Sequence, residues 1–268
     1  MVAKTVILIP HYNNLEGLQK SLRSIYHPIG IDVLVIDDGS AEEEQPTLLN
    51  LKDAIGPTIN IEMLNLKENE GIVSALNKGL KHIVKKGNYQ YVARIDCGDT
   101  CVENRFILQE EFLDTHKDIS LVGSWVRWIC KSTEKEVFSY RPPSENSKIR
   151  RRMAIRCNII HPTVMYRVST VQEVGTYPNN YKNAEDYAYF FNIAKKYKLA
   201  NIPKYLTNTE HNVEGISIQN KKSQNKSKLK VVMKYGRNNP YFLFGIVYNI
   251  ALIYFPQKLL LRIKSQLR

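Results

Sequence analysis

Apolar and polar positions follow two different rhythms along the first half of the chain. Short apolar runs at residues 5–9, 33–36 and 91–95 and an alternation of apolar and polar residues at 60–66 predict strands, and Pro10 is expected to end the first of them. Between these runs, apolar residues recur every three or four positions, which predicts helices. Alternating strands and helices are typical of an α/β fold with a mostly parallel sheet flanked by helices.

The second half has a less regular pattern. Residues 158–166 predict a strand and residues 184–197 a helix, whereas residues 214–230 are polar and basic, which favours a mobile segment. Residues 241–255 are almost wholly apolar, but about 15 residues are fewer than the ~20 that span a bilayer. Residues 257–264 are amphipathic and basic. The pattern fits an interfacial membrane helix and, equally, a helix packed on the domain or on a second subunit.

The net charge of +12 is concentrated at the C-terminal end. Residues 195–268 hold 15 Lys and Arg against two acidic residues, whereas residues 1–194 carry 23 basic and 24 acidic groups. A nearly neutral body with a basic tail suggests that the tail meets an anionic partner, either lipid or nucleic acid. We expect one domain over residues 1–212 and a basic, partly apolar helical extension over residues 213–268.

Pairs of aspartates follow two of the predicted strands. Asp37 and Asp38 end the second strand, and Asp96 and Asp99 follow the fourth. In open α/β sheets, ligands bind in the crevice outside the carboxyl ends of the strands. Paired carboxylates there suit a divalent metal, a ribose or a base edge, although Asp and Gly are also common turn formers. Two such strand ends in one domain favour the functional interpretation.

Six motifs then occur in order, and together they resemble the family 2 glycosyltransferases, which are inverting enzymes with a Rossmann-like GT-A fold. The motifs are IPHYN (9–13), VIDDGS (35–40), NEGIVSALNKGL (69–80), RIDCGD (94–99), HPTVM (161–165) and AEDY (184–187). The resemblance covers residues 4–212 and leaves the tail unexplained. It implies a nucleotide-sugar half over about residues 1–125, an acceptor half over about residues 126–212, and a role in bacterial surface polysaccharide synthesis, such as lipopolysaccharide or capsule.

The resemblance also implies where a nucleotide-sugar donor binds. Pro10 and Tyr12 would line the base pocket, and Asp38 would accept a hydrogen bond from the base, which in this family is usually uracil. Asn69 and Gly71 would lie beside the donor diphosphate, because glycine allows close approach and a helix start favours anions. The simpler interpretation of Gly71 is an ordinary helix start.

The segment after the fourth strand departs from the family pattern. The family usually has Asp-x-Asp-Asp there, with the second aspartate holding Mn²⁺ or Mg²⁺, but this chain has Gly98 at that position. By the resemblance, Asp99 would supply the metal ligand and Asp96 would contact the ribose or a metal-bound water, with Arg94 among the donor-binding residues. His211 is a further candidate for the metal or the donor phosphates. One carboxylate plus phosphates and waters is an adequate set for a hard cation.

The acceptor side of the predicted site depends on Glu185 and Asp186. By the resemblance, Asp186 is the general base that takes the proton of the acceptor hydroxyl, and Glu185 orients the site or the acceptor. His161 would lie near the acceptor or the diphosphate. Acidic residues at a helix start also complement the helix dipole, which is the structural alternative for both carboxylates.

Other classes of protein stay open alongside the transferase. A nucleic-acid-binding protein would explain the basic tail, but the aromatic residues of the apolar block are not interleaved with Lys and Arg, so nucleic acid is not expected as a partner. A catalytically impaired relative is the second alternative, and Gly98 is the argument for it. The first strand is not followed by G-x-G-x-x-G, which argues against a dinucleotide-dependent enzyme.

The expected location rests on the two ends of the chain and on its cysteines. No signal-peptide pattern precedes the first strand, and four cysteines without a C-x-x-C pair are typical of free thiols in a reducing compartment. We expect a cytoplasmic protein that is peripheral on the inner face of the plasma membrane. Its acceptor would be a saccharide or a lipid-linked saccharide, and a homodimer through the tail is the alternative to membrane binding.

Overall fold

The computed structural model describes residues 3–211 and 221–254. The strands in this part of the chain are β1 (Thr5–His11), β2 (Ile31–Asp37), β3 (Ile59–Asn65), β4 (Tyr91–Arg94), β5 (Thr100–Cys101), β6 (Ile119–Cys130), β7 (Glu136–Tyr140), β8 (Met165–Arg167) and β9 (Lys198–His211). They form one sheet in the order β3-β2-β1-β4-β8-β6-β9-β5, with β7 paired to β6.

Helices cover both faces of this sheet, which confirms the predicted α/β fold class. The α-helices of the described residues are α1 (Leu15–Arg23), α2 (Leu48–Leu51), α3 (Ile72–Lys86), α4 (Arg105–Thr115), α5 (Asn146–Met153), α6 (Val168–Val174), α7 (Glu185–Lys196), α8 (Lys221–Tyr235) and α9 (Phe242–Tyr254). Strands β3, β2, β1 and β4 run parallel, as do β6 and β9, whereas β5, β7 and β8 pair antiparallel with their neighbours. The sheet is therefore mixed.

Strand β1 shows why the predicted runs are apolar at every position. Val6 and Leu8 contribute to the core that includes α3, whereas Ile7 and Ile9 contribute to the core that includes α1 and α4. Because helices cover both faces of the sheet, neither side of the strand meets water. The parallel strands β1, β2 and β4 end at one edge of the sheet, and this edge carries the candidate site.

Strand β1 does not end at Pro10 as predicted but continues to His11. The residue pairing between β1 and β4 stops at Leu8. The carbonyl oxygen of Pro10 accepts from the Cys97 thiol at 3.3 Å, on the side where β4 has already ended. The missing N–H of Pro10 therefore costs no hydrogen bond of the sheet, and proline is tolerated within the strand.

Two predictions in the second half are also corrected. Residues 158–166 do not form one strand, because a 3₁₀ turn at His161–Thr163 precedes β8. Residues 221–230 lie within α8 and not in a mobile segment, while residues 214–220 of that prediction lie outside the described residues.

The two C-terminal helices pack on each other and on the domain. The Asn225 amide of α8 donates to the carbonyl oxygen of Leu252 at 2.9 Å, and the Asn249 amide of α9 donates to the carbonyl oxygen of Ile155 at 3.1 Å. Within the described residues, no helix is both long enough and apolar enough to cross a membrane. The amphipathic residues 257–264 lie outside the described part of the chain.

Candidate active site

The ends of β1 and β2 are joined by a buried hydrogen-bond network. The imidazole Nδ1 of His11 lies 2.8 Å from Oδ1 of Asp37, and both side chains are fully buried. The backbone N–H of Asn14 donates to Nε2 of His11 at 3.3 Å, so Nδ1 carries the proton and donates it to Asp37. The Ser40 hydroxyl also donates to Asp37 Oδ1, at 2.5 Å. This network holds the two strand ends in place.

The carboxylate of Asp38 is hydrogen-bonded to the backbone at the start of α3. Its two carboxylate oxygens accept from the backbone N–H groups of Glu70 and Gly71, each at 2.9 Å, and its side chain is buried. Gly71 is the N-cap residue of α3 with φ 89°, a conformation that favours glycine. Asp38 therefore anchors the helix start, and its predicted contact with the base stays a prediction.

The other predicted donor residues border open surface beside these strand ends. Tyr12 is 48% exposed, Asn69 is exposed, and Pro10 is half-buried. A Cβ on Gly71 would meet nothing within 4 Å, so the space beside the helix start is free for a ligand. The donor contacts of these residues remain predictions.

Arg94 is fully buried and forms an ion pair with Asp96. This ion pair holds Asp96 in place, and the predicted role of Arg94 in donor binding stays a prediction. The same guanidinium acts on His161: burial, and then the charge of Arg94, lower the pKa of this histidine well below its ordinary value. His161 is therefore neutral, and its Nε2 lies 2.9 Å from the Tyr177 hydroxyl.

Asp99 is buried beside Asp96 with one free oxygen. Its Oδ1 accepts from the backbone N–H of Glu210 at 2.8 Å, and the nearby Thr209 hydroxyl also acts to lower its pKa, whereas its Oδ2 makes no hydrogen bond of normal geometry among the described residues. Burial, and then the charge of Asp96, raise the pKa of Asp99 well above its ordinary value. A divalent cation would satisfy the free oxygen and offset the repulsion between the carboxylates, so these two residues fit a metal.

His211 is not gathered with these carboxylates into a ligand set. Among residues 3–211 and 221–254, no group of three or more His, Cys, Asp or Glu side chains is placed to hold a metal ion. The ring of His211 packs edge-on against Phe138, with 5.9 Å between the ring centroids. A metal contact of His211 stays a prediction.

The unusual Gly98 has a structural explanation. Its φ of 94° lies in the region that favours glycine, and a Cβ there would lie 3.3 Å from Oε2 of Glu210. The Glu210 carboxylate, which pairs with Lys20 at 3.5 Å and Lys131 at 3.7 Å, borders the space that an aspartate at position 98 would enter. An aspartate at this position would place two carboxylates against each other.

The two acidic residues at the start of α7 lie in different environments. Oδ1 of Asp186 accepts from the Tyr187 N–H at 2.7 Å, and burial raises the pKa of Asp186. The charge of Asp96 adds to this rise, and the Lys228 ammonium opposes it. Glu185 is 9% exposed, and its Oε2 has no hydrogen-bond partner among the described residues. Burial, and then the charge of Asp186, raise the pKa of Glu185 to about 7.

Three residues of this site were not identified from the sequence. The charge of Lys228 in α8 lowers the pKa of Asp186, Glu210 borders Gly98, and the buried Arg105 donates to the carbonyl oxygen of Arg94 at 2.6 Å. Glu210 adjoins His211, which the sequence did single out, so its position carried a weak signal. Lys228 and Arg105 had none, because their roles depend on contacts between distant segments.

Several curated relatives with similar sequences are named as glycosyltransferases. The chain is 26% identical over 253 residues to an uncharacterized glycosyltransferase of Rickettsia bellii, which covers 94% of this chain and 35% of that protein. It is 30% identical over 173 residues to the UDP-Gal:alpha-D-GlcNAc-diphosphoundecaprenol beta-1,3-galactosyltransferase of Escherichia coli, covering 64% of this chain and 60% of that one. The chain spans between 32% and 52% of the length of the first three relatives.

Solved structures share the fold at low identity. Staphylococcus aureus TarS 1-349 in complex with UDP-GlcNAc aligns with a TM-score of 0.63 and 16% identity over 93% of this chain and 70% of that one. The mannosyltransferase PcManGT of Pyrobaculum calidifontis, in complex with GDP-Man and Mn²⁺, aligns with a TM-score of 0.64 and 14% identity over 94% and 70%. The model of the family described as Glycosyl transferase family 2 matches residues 6–175, more than half of the chain, and the protein therefore belongs to this family.

Proposed function

We propose that this glycosyltransferase moves a sugar, with inversion, from a nucleotide-sugar donor to a saccharide or a lipid-linked saccharide. The proposal rests on the family to which the chain belongs and on one observation: Asp99 after β4 and Asp186 at the start of α7 are both close enough to Asp96 for its charge to contribute to raising their pKa values. Carboxylates from two distant segments thus lie near one another at the carboxyl edge of the sheet. This is the arrangement that a transfer between two bound sugars requires.

Asp186 is the general base of the proposed reaction. It takes the proton of the acceptor hydroxyl while that oxygen attacks the anomeric carbon, and the bond from this carbon to the nucleotide diphosphate breaks on the opposite side. A base is most effective when its pKa lies near the working pH, and burial moves the pKa of Asp186 upward in that direction. Glu185 orients the helix start and the acceptor.

A divalent cation, Mn²⁺ or Mg²⁺, completes the donor site in this proposal. Asp99 and Asp96 would hold it, with His211 as a further candidate ligand. Bound there, such a cation would neutralise the charge that develops on the departing diphosphate. The free Oδ2 of Asp99 supports this assignment, as does the Mn²⁺ complex of the mannosyltransferase neighbour.

The donor is proposed to be a UDP-sugar, bound with its base at Pro10 and Tyr12 and its diphosphate beside Asn69 and Gly71. The name of the Escherichia coli relative contains UDP-Gal and a diphosphoundecaprenol acceptor, and a second relative is an amylovoran biosynthesis glycosyltransferase of Erwinia amylovora. Both support synthesis of a bacterial surface polysaccharide, such as lipopolysaccharide or capsule, at the cytosolic face of the membrane. We assign the transferase domain to residues 1–212 and the extension to residues 213–268.

A thermal-shift titration with UDP, GDP, CDP and dTDP, each with and without Mn²⁺, tests the donor class and the metal together. A ligand that binds only the folded state raises the free energy of unfolding by about 2.7 kcal/mol at a hundredfold excess over its dissociation constant. Among the four nucleotides, we expect only UDP to give a shift, and we expect this shift to depend on Mn²⁺. In Asp99→Asn, the shift with UDP should depend less on Mn²⁺. Asp53→Asn, which changes an exposed aspartate in the 3₁₀ turn at Lys52–Ala54, is the matched control.

The second candidate function is that of a catalytically impaired relative that binds partners without turnover. It is favoured by Gly98, where the Glu210 carboxylate borders the space of the aspartate side chain that the chain lacks. Nucleotide binding without release of UDP from UDP-sugars, in the presence of lipid-linked and free saccharide acceptors, would favour it. Absence of any nucleotide-induced shift would overturn the donor assignment itself.

A further inference from the structure

Helix α9 presents a stripe of apolar side chains to solvent. Leu243, Val247, Ile250 and Tyr254 recur every three or four residues and therefore share one side of the helix, with exposures of 76%, 65%, 40% and 74%. Phe244, 57% exposed, widens the stripe at its first turn. We call these five residues the α9 stripe. Contiguous apolar surface of this kind marks a place where a protein meets another apolar phase or molecule.

The elements against which α9 packs are basic. α8 exposes Lys222, Lys226 and Lys230 at helical spacing, so these cations share one side of that helix. α5, whose end lies against α9, exposes three consecutive arginines, 150–152. The sequence from residue 215 onward contains 11 Lys and Arg and no Asp or Glu. The α9 stripe thus belongs to a strongly cationic part of the molecule.

A basic cavity lies at the beginning of α9. It has a volume of about 620 Å³ and is lined by the cations Arg150, Arg151 and Lys195, with no acidic residue in its lining. Aromatic rings hold two of these cations in place: Arg151 lies 5.1 Å from the centroid of the Tyr241 ring, and Lys195 lies 4.4 Å from that of Tyr235. The Arg150 guanidinium donates to the carbonyl oxygen of Ala194 in the same lining. Three cations around one cavity at the end of an apolar stripe suit a phosphate group.

We propose that the α9 stripe, the cations of α8 and α5, and the basic cavity form one docking surface for a bilayer of anionic phospholipid. The stripe enters the boundary of the acyl chains, the lysines and arginines meet the headgroups, and the cavity receives a headgroup phosphate. Charge selects this occupant over a second copy of the chain. Two copies that met through the α9 stripe would bring their cations together, and this repulsion would oppose a dimer.

This inference goes beyond the proposed sugar transfer and can be tested without any sugar substrate. The full chain is mixed with vesicles of phosphatidylcholine, or of phosphatidylcholine and phosphatidylglycerol in equal parts, and the bound fraction is measured by co-sedimentation. We expect binding to the anionic vesicles that weakens as salt is raised, and little binding to the neutral ones. Val247→Glu should weaken binding at least tenfold, and each of Lys226→Glu and Lys230→Glu about fivefold or more.

Matched substitutions elsewhere on the surface make these results specific. Leu49→Glu changes a residue of α2 that is 76% exposed, as Leu243 is, and Lys81→Glu reverses an exposed charge on α3. Both controls should bind vesicles as the unchanged protein does, and thermal unfolding should show that every variant is folded. The proposal is overturned if Val247→Glu binds like the controls. It is also overturned if light scattering shows a dimer that Val247→Glu dissociates while anionic vesicles are not bound.

Discussion

The buried carboxylates of this molecule fall into two groups that differ in hydrogen bonding. One group lies at the end of β2, and the other lies after β4 and at the start of α7. At the end of β2, both oxygens of Asp37 and of Asp38 accept hydrogen bonds, from the end of β1 and from neighbouring loops. At the start of α7 and after β4, Oε2 of Glu185 and Oδ2 of Asp99 have no partner among the described residues. Burial of a charge is tolerated when its hydrogen bonds are complete, and an incomplete set leaves a group poised for chemistry. Asp37 and Asp38 therefore hold the site in place, whereas Asp99 and Glu185 are available for its chemistry.

The largest effect is expected for Asp186→Asn, because an amide cannot accept the proton of the acceptor hydroxyl. Loss of a general base costs about 10²–10⁴-fold in rate, so kcat for sugar transfer should fall by this factor. Nucleotide binding, measured by thermal shift, should be unchanged. Asp38→Asn is the informative comparison, since it should affect folding more than chemistry. Normal turnover by Asp186→Asn would remove this residue as the base.

Replacement of Glu185 by glutamine should change the pH dependence of stability. The pKa of Glu185 is raised from 4.5 to about 7, so the folded protein holds this proton more tightly than the unfolded chain does. Stability from this group is therefore complete below about pH 4.5 and is lost as the pH rises through about 7. Glu185→Gln removes that loss. The free energy of unfolding of Glu185→Gln minus that of the unchanged protein should therefore increase by on the order of 3 kcal/mol as the pH rises between these values.

Urea unfolding from about pH 5 to pH 8 measures this difference directly. Glu43→Gln, an exposed glutamate in the 3₁₀ turn at Glu42–Glu44, serves as the control and should give a difference that does not vary with pH. A flat difference for Glu185→Gln as well would mean that the carboxyl is not kept protonated by burial, and the contrast with the β2 aspartates would fail.

Asp38→Asn tests the carboxylates at the end of β2, whose hydrogen bonds are complete. The amide keeps one acceptor oxygen, but its NH₂ group faces one of the two backbone N–H donors of Glu70 and Gly71. Losing one charge-assisted hydrogen bond and leaving a buried N–H unpaired costs about 2 kcal/mol. The melting temperature should fall by about 4–8 °C. Asp53→Asn, at an exposed position, should leave it unchanged. An unchanged melting temperature for Asp38→Asn would show that the carboxylate does not anchor α3.

The same two groups of carboxylates show which features of the site could be predicted from the sequence. The strand ends were predictable, because Asp37, Asp38, Asp96 and Asp99 follow apolar runs and the parallel order brings such ends to one edge. Which aspartates have complete hydrogen bonds was not, because the donors to Asp38 come from residues more than thirty positions away. The strand continuing through Pro10 depended in the same way on where β4 ends.

The second half of the chain was less predictable for a related reason. Its strands pair with partners that are distant in the chain. β8 runs antiparallel to β6, and β9 runs parallel to β6 over the whole length of both strands. The polar and basic composition of residues 221–230 favoured a mobile segment, yet α8 is ordered by packing, since Val231 and Val232 are buried in the core that includes α7. Tertiary contacts decided these elements, and local composition did not reveal them.

The smallest expected effect comes from Lys228, which links this unpredicted helix to the site. Its ammonium lowers the pKa of Asp186 against the larger effect of burial. In Lys228→Gln that pKa should rise further, so the acid limb of kcat/KM should move to higher pH by about one unit or less. Lys230→Gln changes an exposed lysine on the same helix and should leave the limb in place, and Lys228→Arg should restore it. If Lys228→Gln lowered activity equally at every pH, Lys228 would act by packing alone and not through the pKa of Asp186.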